Sequence, residues 1–330
     1  MATPNQISQA LIASIADSSS DFTDVVAKST ALLGILKQKG RFKTYSGPLI
    51  EESINYGRPG NGTWYSGYEF LNIDPSQELA KAEYTPKQLA VHAVISGREM
   101  VENMGATQMI DLFNLKINNA KAEAREMVYQ GIHSDGTGFG GRQITGLKAM
   151  LPVNPAVGTY AGINRANWTW WRPGAYDVSN GDIPGATTVT KDTIRTIYRT
   201  VVRKHTRGTQ GPDLIVASED HYSALEDSVD PIQRITKQGG AVELGFSAIA
   251  LNINGRVIEV VMEGGMGSEM PAGTSYVLDT DSMALRYHPS RNWTPDDKKA
   301  TVNQDAIVQP IYWMGEFTMN NALFNAVIKN

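Results

Sequence analysis

The chain has no cysteine. Disulfides, thiolate catalysis and cysteine-ligated metal sites are therefore excluded. It also lacks any apolar run near the ~20 residues that span a bilayer. The N-terminus has no basic segment, and its short apolar stretch LIASIA runs into Asp17 and three serines, unlike a signal peptide. These absences predict a soluble protein made in a cytoplasm, with no membrane partner. Charged residues are few, at 19%, and the formal net charge of -4 argues against a polyanion binder with a broad basic surface.

Catalytic signatures are missing as well. None of His92, His133, His205, His221 and His288 has metal-ligand spacing, and no GxSxG elbow occurs. DTDSM, with Asp279 and Asp281, lacks the glycine and distal glutamate of a calcium loop, and Asp296 and Asp297 read as a solvated turn. The glycine-rich SDGTGFGGRQ has no Gly-Lys-Ser/Thr ending and follows a helix instead of a strand, so it is not a phosphate loop. Sequons begin at Asn61, Asn167 and Asn292, and without a secretion signal they carry no weight. No internal repeat or heptad run is found. The reading assigns no catalytic residue, no cofactor and no metal, and predicts that the chain is not an enzyme.

What is present is a core-forming chain of 330 residues, 41% hydrophobic, with 31 glycines and 15 prolines for turns. Thr107 to Ile132 organises it. Ile110, Phe113, Ile117, Ala120, Ala124, Met127 and Val128 recur at the three- and four-residue spacing of one helical face. Lys116, Asn118, Asn119, Lys121, Glu123 and Glu126 take the other side. The helix would run roughly 39 Å as a spine along one edge of a domain.

Before it, residues 1–22 read as an arm. A helix is expected from about Thr23 to Gln38, stopped by Gly40, and either lies on its own domain or reaches a neighbour. LIEESINY alternates as a strand. GRPGNGTWYSG, with Asn61-Gly62, is a turn cluster, and YEFLNI is the expected returning strand before EYTPKQLAVHAVIS. A two-stranded ribbon is marginal in water alone, so this hairpin should be covered by another copy of the chain.

After the spine, GLKAML reads as a short strand or helix packed near it. Residues 159–173 hold Trp168, Trp170 and Trp171, three of the six tryptophans, which suit a buried or inter-subunit aromatic cluster better than a sugar or base platform. Residues 190–280 read as an inserted α/β module. It has a helix in KDTIRTIYRTVVRKH capped by Thr190 or Asp192, a buried strand in PDLIVAS and a helix in EDHYSALEDSV. A hairpin turning at Asn254-Gly255 follows. The closing AIVQPIYWMGEFTMNNALFNAVIKN reads as strands that return to the domain of the spine. Projecting elements without chemistry point to assembly through heterologous contacts.

In order and spacing these stretches resemble the major capsid proteins of tailed bacteriophages, of the Hong Kong ninety-seven type. The resemblance rests on WYSGYEFLN, AEYTPKQLAVHAVISGREMVENMG, GLKAML, TYAGINRANWTWWRP, PDLIVASEDHYSAL and GEFTMNNALFNAVI. It implies an α+β capsid fold in four parts. These are an N-terminal arm (1–44), an extended loop (45–92), a peripheral domain with the spine (93–190 and 279–330) and an axial domain (191–278). It also implies pentamers and hexamers in an icosahedral shell around double-stranded DNA, a virion location and assembly in the bacterial host cytoplasm.

Portal, a separate scaffolding protein and a decoration protein are the implied partners. The implied subunit contacts are Arg58, Asn61, Trp64, Tyr65, Tyr68 and Glu69 on the loop. Arg291, Trp293, Lys298 and Lys299 are those of a second loop (288–305) at three-fold positions. With the spine starting by about residue 105, no long N-terminal scaffolding segment is expected. The tip, residues 57–67, has no lysine, so no isopeptide cross-link is expected. An encapsulin-like nanocompartment, or a monomeric enzyme or carbohydrate binder using the tryptophan cluster, are the alternatives.

Overall fold

In a computed structural model of the protein, residues 30–57, 60, 62–71, 77–102, 106–229, 248–263, 269–296, 299–300 and 305–330 are described. The expected arm, the helix start at Thr23, Arg58, Asn61 and Lys298 lie outside these residues.

The first described helix, α1 (Ala31–Gln38), is short and almost wholly buried, with Leu32, Leu33 and Leu36 among its interior side chains. Thr30 caps it, Oγ1 accepting from the Leu33 N–H at 2.9 Å. Gly40, at φ +67°, ends it as expected. These eight residues therefore pack on their own domain.

Strands β1 (Phe42–Thr44) and β2 (Ile50–Asn55) follow. The ribbon differs from expectation. β2 pairs antiparallel not with YEFLNI but with β3 (Leu79–Tyr84), Ile50 opposite Tyr84 and Asn55 opposite Leu79. Residues 68–71 are not strand. Tyr68, Phe70 and Leu71 have no core to face there, so their alternation has nothing to organise it.

Next comes β4 (Lys87–Ser96), a long strand of the main sheet, so that sheet begins before residue 93. Gly97–Glu102 forms α2, and the spine, α3, runs Ala106–His133, 28 residues or about 42 Å. Ile117, Ala120, Ala124, Val128 and Ile132 are its buried line, as the periodicity requires. The side chains of Ile110 and Phe113 lie outside the described set. α4 (Leu147–Met150) seats Leu147 and Met150 against the spine. Gly146 permits this: a Cβ there would stand 2.3 Å from the Ile132 carbonyl oxygen.

The main sheet is built on β14 (Ala306–Met319). One edge pairs antiparallel with β4, the other with β12 (Met283–Pro295) and β13 (Lys299–Ala300), and β1 adds parallel to β12. The expected loop at 288–305 is thus largely the strand end of this ribbon, with register shifts between Tyr287 and Thr294.

A minor hairpin joins β5 (Thr159–Tyr160) to β6 (Ile163–Asn164). The second sheet then runs in the order β7 (Gly174–Asp177), β15 (Ala326–Lys329), β11 (Thr274–Leu278), β8 (Leu214–Ala217), β10 (Arg256–Met262), β9 (Ala248–Ile253). The β9–β10 hairpin turns at Asn254 and Gly255, both at positive φ, as the dipeptide predicts.

α5 (Ile194–Lys204) starts after Thr193, later than expected, and α6 (Glu219–Ser228) follows β8 directly. Both helices cover one face of the sheet through Ile194, Ile197, Tyr198, Val201, Tyr222 and Leu225. Leu214, Val216, Tyr276 and Leu278 point from the other face into the body of the chain. The last strand, Ala326–Lys329, joins this second sheet and not the sheet of the spine, because its buried Ala326, Val327 and Ile328 fill the gap between β7 and β11. A buried histidine–glutamate contact ties the halves together. His133 Nε2 lies 2.9 Å from Glu263 Oε2, and Glu263 Oε1 accepts the Leu32 N–H at 3.0 Å.

Candidate assembly surface

The β2–β3 ribbon is anchored at one end and bare at the other. Ile50, Ile54, Ala82 and Tyr84 are buried at its base. The Tyr84 hydroxyl donates to the Met319 carbonyl at 2.6 Å and accepts the Met319 N–H at 3.1 Å. Glu52 accepts from Arg286 Nε at 2.5 Å and from Thr318 Oγ1 at 3.1 Å, fixing the ribbon to the main sheet. Below it Glu316 is buried, its Oε1 accepting the N–H groups of Thr145 at 2.6 Å and Phe317 at 3.2 Å. Burial pushes its carboxyl up to about 8, partly offset by the Thr145 and Phe317 N–H groups and by Lys87.

At the point where the ribbon leaves the body, Tyr56 stacks on Trp170, with ring centroids 4.6 Å apart and planes 9° apart. Trp168 lies beside both. Trp171 beneath is buried and donates from Nε1 to the Tyr160 carbonyl at 3.1 Å. The tryptophan cluster is thus graded from buried to half-exposed, and it holds the ribbon's root.

Among the described residues from Thr63 to Leu71 the side chains face water. Trp64, Tyr68 and Phe70 are 101%, 105% and 104% exposed, and Tyr65 and Leu71 are exposed too. Among the described residues of this stretch the hydrogen bonds are short-range, such as Ser66 N–H to Glu69 Oε2 at 3.3 Å. Each such aromatic buries 150–250 Å² when covered, so three of them represent on the order of 10 kcal/mol of gross transfer free energy. A run of this kind facing water marks an association surface.

The predicted contact residues divide. Trp64, Tyr65, Tyr68 and Glu69 lie together on this exposed stretch. Phe70 and Leu71 belong with them, although neither was among the expected contacts. Arg291 is exposed, its guanidinium 5.1 Å over the Tyr312 ring and within 3.3 Å of Gln88 Oε1. Lys299 lies in β13, and its side chain is not described. Trp293 is a correction. It is 2% exposed and stacks on Trp313 at 6.0 Å, so it fills the interior instead of offering a contact. Its φ of +55° turns the side chain inward at the bulge in β12.

Among the described residues no open catalytic arrangement competes with this surface. Among the described residues no group of three or more His, Cys, Asp or Glu side chains could hold a metal ion, and no helix is long and apolar enough to cross a membrane. A Ser–His pair exists, His221 Nδ1 to Ser275 Oγ at 2.7 Å, with the Tyr198 hydroxyl on the same oxygen at 2.9 Å. All three side chains are buried in the second sheet's core, closed to substrate.

No family model matches the chain, and no curated protein matches it in sequence. Solved structures do match it. A chain of the cyanophage A-1(L) capsid asymmetric unit superposes with a TM-score of 0.63 at 14% identity, covering 91% of this chain and 92% of that one. A capsid chain of the native GTA particle gives 0.55 at 11%, covering 89% and 90%. A chain of the satellite phage P4 procapsid gives 0.52 at 11%, covering 94% and 97%. These matches are to shell proteins and not to enzymes, and they show the fold. The chain has the α+β fold of phage major capsid proteins, of the Hong Kong ninety-seven type.

Proposed function

We propose that this chain is the major capsid protein of a tailed phage. It assembles as pentamers and hexamers into an icosahedral shell around double-stranded DNA. The observation that carries this is the exposed Trp64, Tyr68 and Phe70 set, held out on an anchored ribbon that its own chain does not cover. The ribbon's base is fixed by core side chains and Trp64, Tyr68 and Phe70 face water beyond it, which suits docking on a neighbouring copy by a heterologous contact. On this reading the arm, extended loop, peripheral domain and axial domain keep their roles, with the loop ending before β4 and with β7 and β15 joining the axial sheet, and Arg291 and the β12–β14 ribbon end meet neighbours elsewhere in the shell. The same reading assigns a separate scaffolding protein, a portal, a virion location and assembly in the host cytoplasm.

The test is particle size, by light scattering with electron microscopy of the same sample. Closed shells tens of nanometres across, or rings of five and six, are expected. A chain lacking residues 57–67 is expected to stay folded, with an unchanged melting transition, and to form no shells. A wild-type protein that stays monomeric at 36.0 kDa, even with a phage scaffolding protein supplied, overturns the reading. DNA inside the particle supports the phage assignment, whereas an enzyme cargo instead of DNA identifies a nanocompartment.

A further inference from the structure

Two neighbouring helices carry opposite charge on their exposed faces. On α5, Arg195, Arg199 and Arg203 recur every four residues on the side facing water, with exposed Lys191 just before the helix. On α6 the exposed positions include Glu219, Asp220 and Asp227, and residues 214–229 contain no lysine or arginine. Both helices lie on the same face of the second sheet, and that face is turned away from the body.

The isolated chain does not account for this pattern. Helix dipoles favour anions at N-termini and cations at C-termini. Glu219 and Asp220 at the start of α6 follow that rule, and so does Arg203 at the end of α5. Arg195 breaks it in the first turn of α5, where exposed Asp192 just ahead of the helix offsets Lys191, and Asp227 breaks it at the end of α6. The i, i+4 arginines also repel one another. Among the described residues Lys191, Arg195, Arg199, Glu219, Asp220 and Asp227 form no ion pair, although α5 and α6 touch. Each helix thus carries charge that its own fold penalises and its neighbour does not neutralise.

We propose that the basic face of α5 in one copy docks against the acidic face of α6 in a second copy. This rests on the shell reading above and adds which surface of the second module meets a neighbour. Charge complementarity identifies the occupant, because the exposed acids of α6 in a second copy supply the anions that the arginines of α5 lack. An exposed pair adds little affinity alone, but it opposes the wrong docking partner and sets register. Nucleic acid is a poorer match for the basic face, since the acids of α6 stand beside it and the chain carries a net charge of -4.

The experiment uses the full chain in three forms: Arg195→Glu with Arg199→Glu, Glu219→Lys with Asp220→Lys, and all four together. Wild type must first form shells or rings. If it does not, it is the shell reading that fails. The α5 variant is expected to melt at or slightly above the wild-type temperature and the α6 variant slightly below it, because Glu219 and Asp220 sit favourably at the N-terminus of α6, and both stay folded since these side chains are exposed. Each should need about tenfold more protein to assemble at low salt. The quadruple variant, whose faces are complementary again, should recover wild-type assembly. Normal assembly of both double variants overturns the proposal. So does an α5 variant that builds shells normally but loses its DNA, which would give the basic face to nucleic acid.

Discussion

Replacing Glu316 by glutamine should stabilise the folded chain at pH 8 and leave it unchanged at pH 4.5. The side chain is 1% exposed, and its Oε2 has no hydrogen-bond partner among the described residues. Burial raises the carboxyl from an ordinary 4.5 to about 8. Below pH 4.5 it is protonated in both the folded and the unfolded chain and contributes no pH dependence. Between 4.5 and 8 the unfolded chain loses this proton and the folded chain keeps it. Stability therefore falls as pH rises through that window, by about 1.4 kcal/mol per unit at the steepest. Relaxation around the buried carboxylate limits the total to roughly 2–4 kcal/mol.

Glutamine removes the ionisation and keeps an oxygen for the Thr145 and Phe317 N–H groups. For a chain of 330 residues 1 kcal/mol moves the melting point by about 1.4 °C, so a gain of ~3–6 °C is expected at pH 8. Calorimetry of both proteins at pH 4.5, 6 and 8 makes the comparison. The difference between the two is diagnostic, and the absolute profile is not. Asp279, raised to about 6 by burial and by Asp213, adds to the same trend, while His221, lowered to about 4 by burial, opposes it in acid. Parallel curves, with the same offset at every pH, would refute the reasoning.

Two further outcomes follow from named contacts. Tyr56→Ala removes the stack on Trp170 and should cost about 0.5–1.5 kcal/mol beyond lost area. It should also shift tryptophan fluorescence to the red and speed proteolysis within residues 57–78, and unchanged proteolysis would mean that the ribbon's root is held by β2–β3 alone. Trp293→Ala should lower stability by about 3–5 kcal/mol in denaturant titration, since it empties a buried site against Trp313. A loss under 1 kcal/mol would place the side chain at the surface, where the sequence reading had it.

The spine was legible because its alanines and β-branched residues keep one period for seven turns, and burial follows that period at Ile117, Ala120, Ala124 and Val128. The Asn254-Gly255 hairpin was legible because two consecutive positive φ values restrict the residues that fit. YEFLNI misled because alternation signals a strand only where one face meets a core. Here Tyr68, Phe70 and Leu71 meet water, so the period carries no structural meaning. Trp293 misled because the sequence around it, Arg291 to Lys299, is polar and proline-bearing like a loop. Its burial comes from a partner twenty residues on, Trp313, and from a bulge that no local pattern announces. Ala326–Lys329 could be read as a strand, but its sheet depends on the gap between β7 and β11, which is a property of the whole fold.

The aromatic tip and the charged helices differ in kind, and that difference separates their roles. Burial of Trp64, Tyr68 and Phe70 is non-directional and strong, and it would favour any apolar surface of fitting shape. The faces of α5 and α6 are weak but signed, so a neighbour docked in the wrong orientation sets like charges together. Strength and selection then reside in separate parts of the chain. Salt distinguishes them, because at 1 M the screening length falls to about 3 Å while apolar burial persists. A chain lacking residues 57–71, and with them Trp64, Tyr68 and Phe70, should fail to assemble at any ionic strength. A chain with α5 reversed should fail in dilute buffer and recover as salt rises, since what blocks it is repulsion. If raising the salt leaves the reversed chain unassembled, the arginines are needed for contacts closer than screened charge, and the helices contribute strength after all.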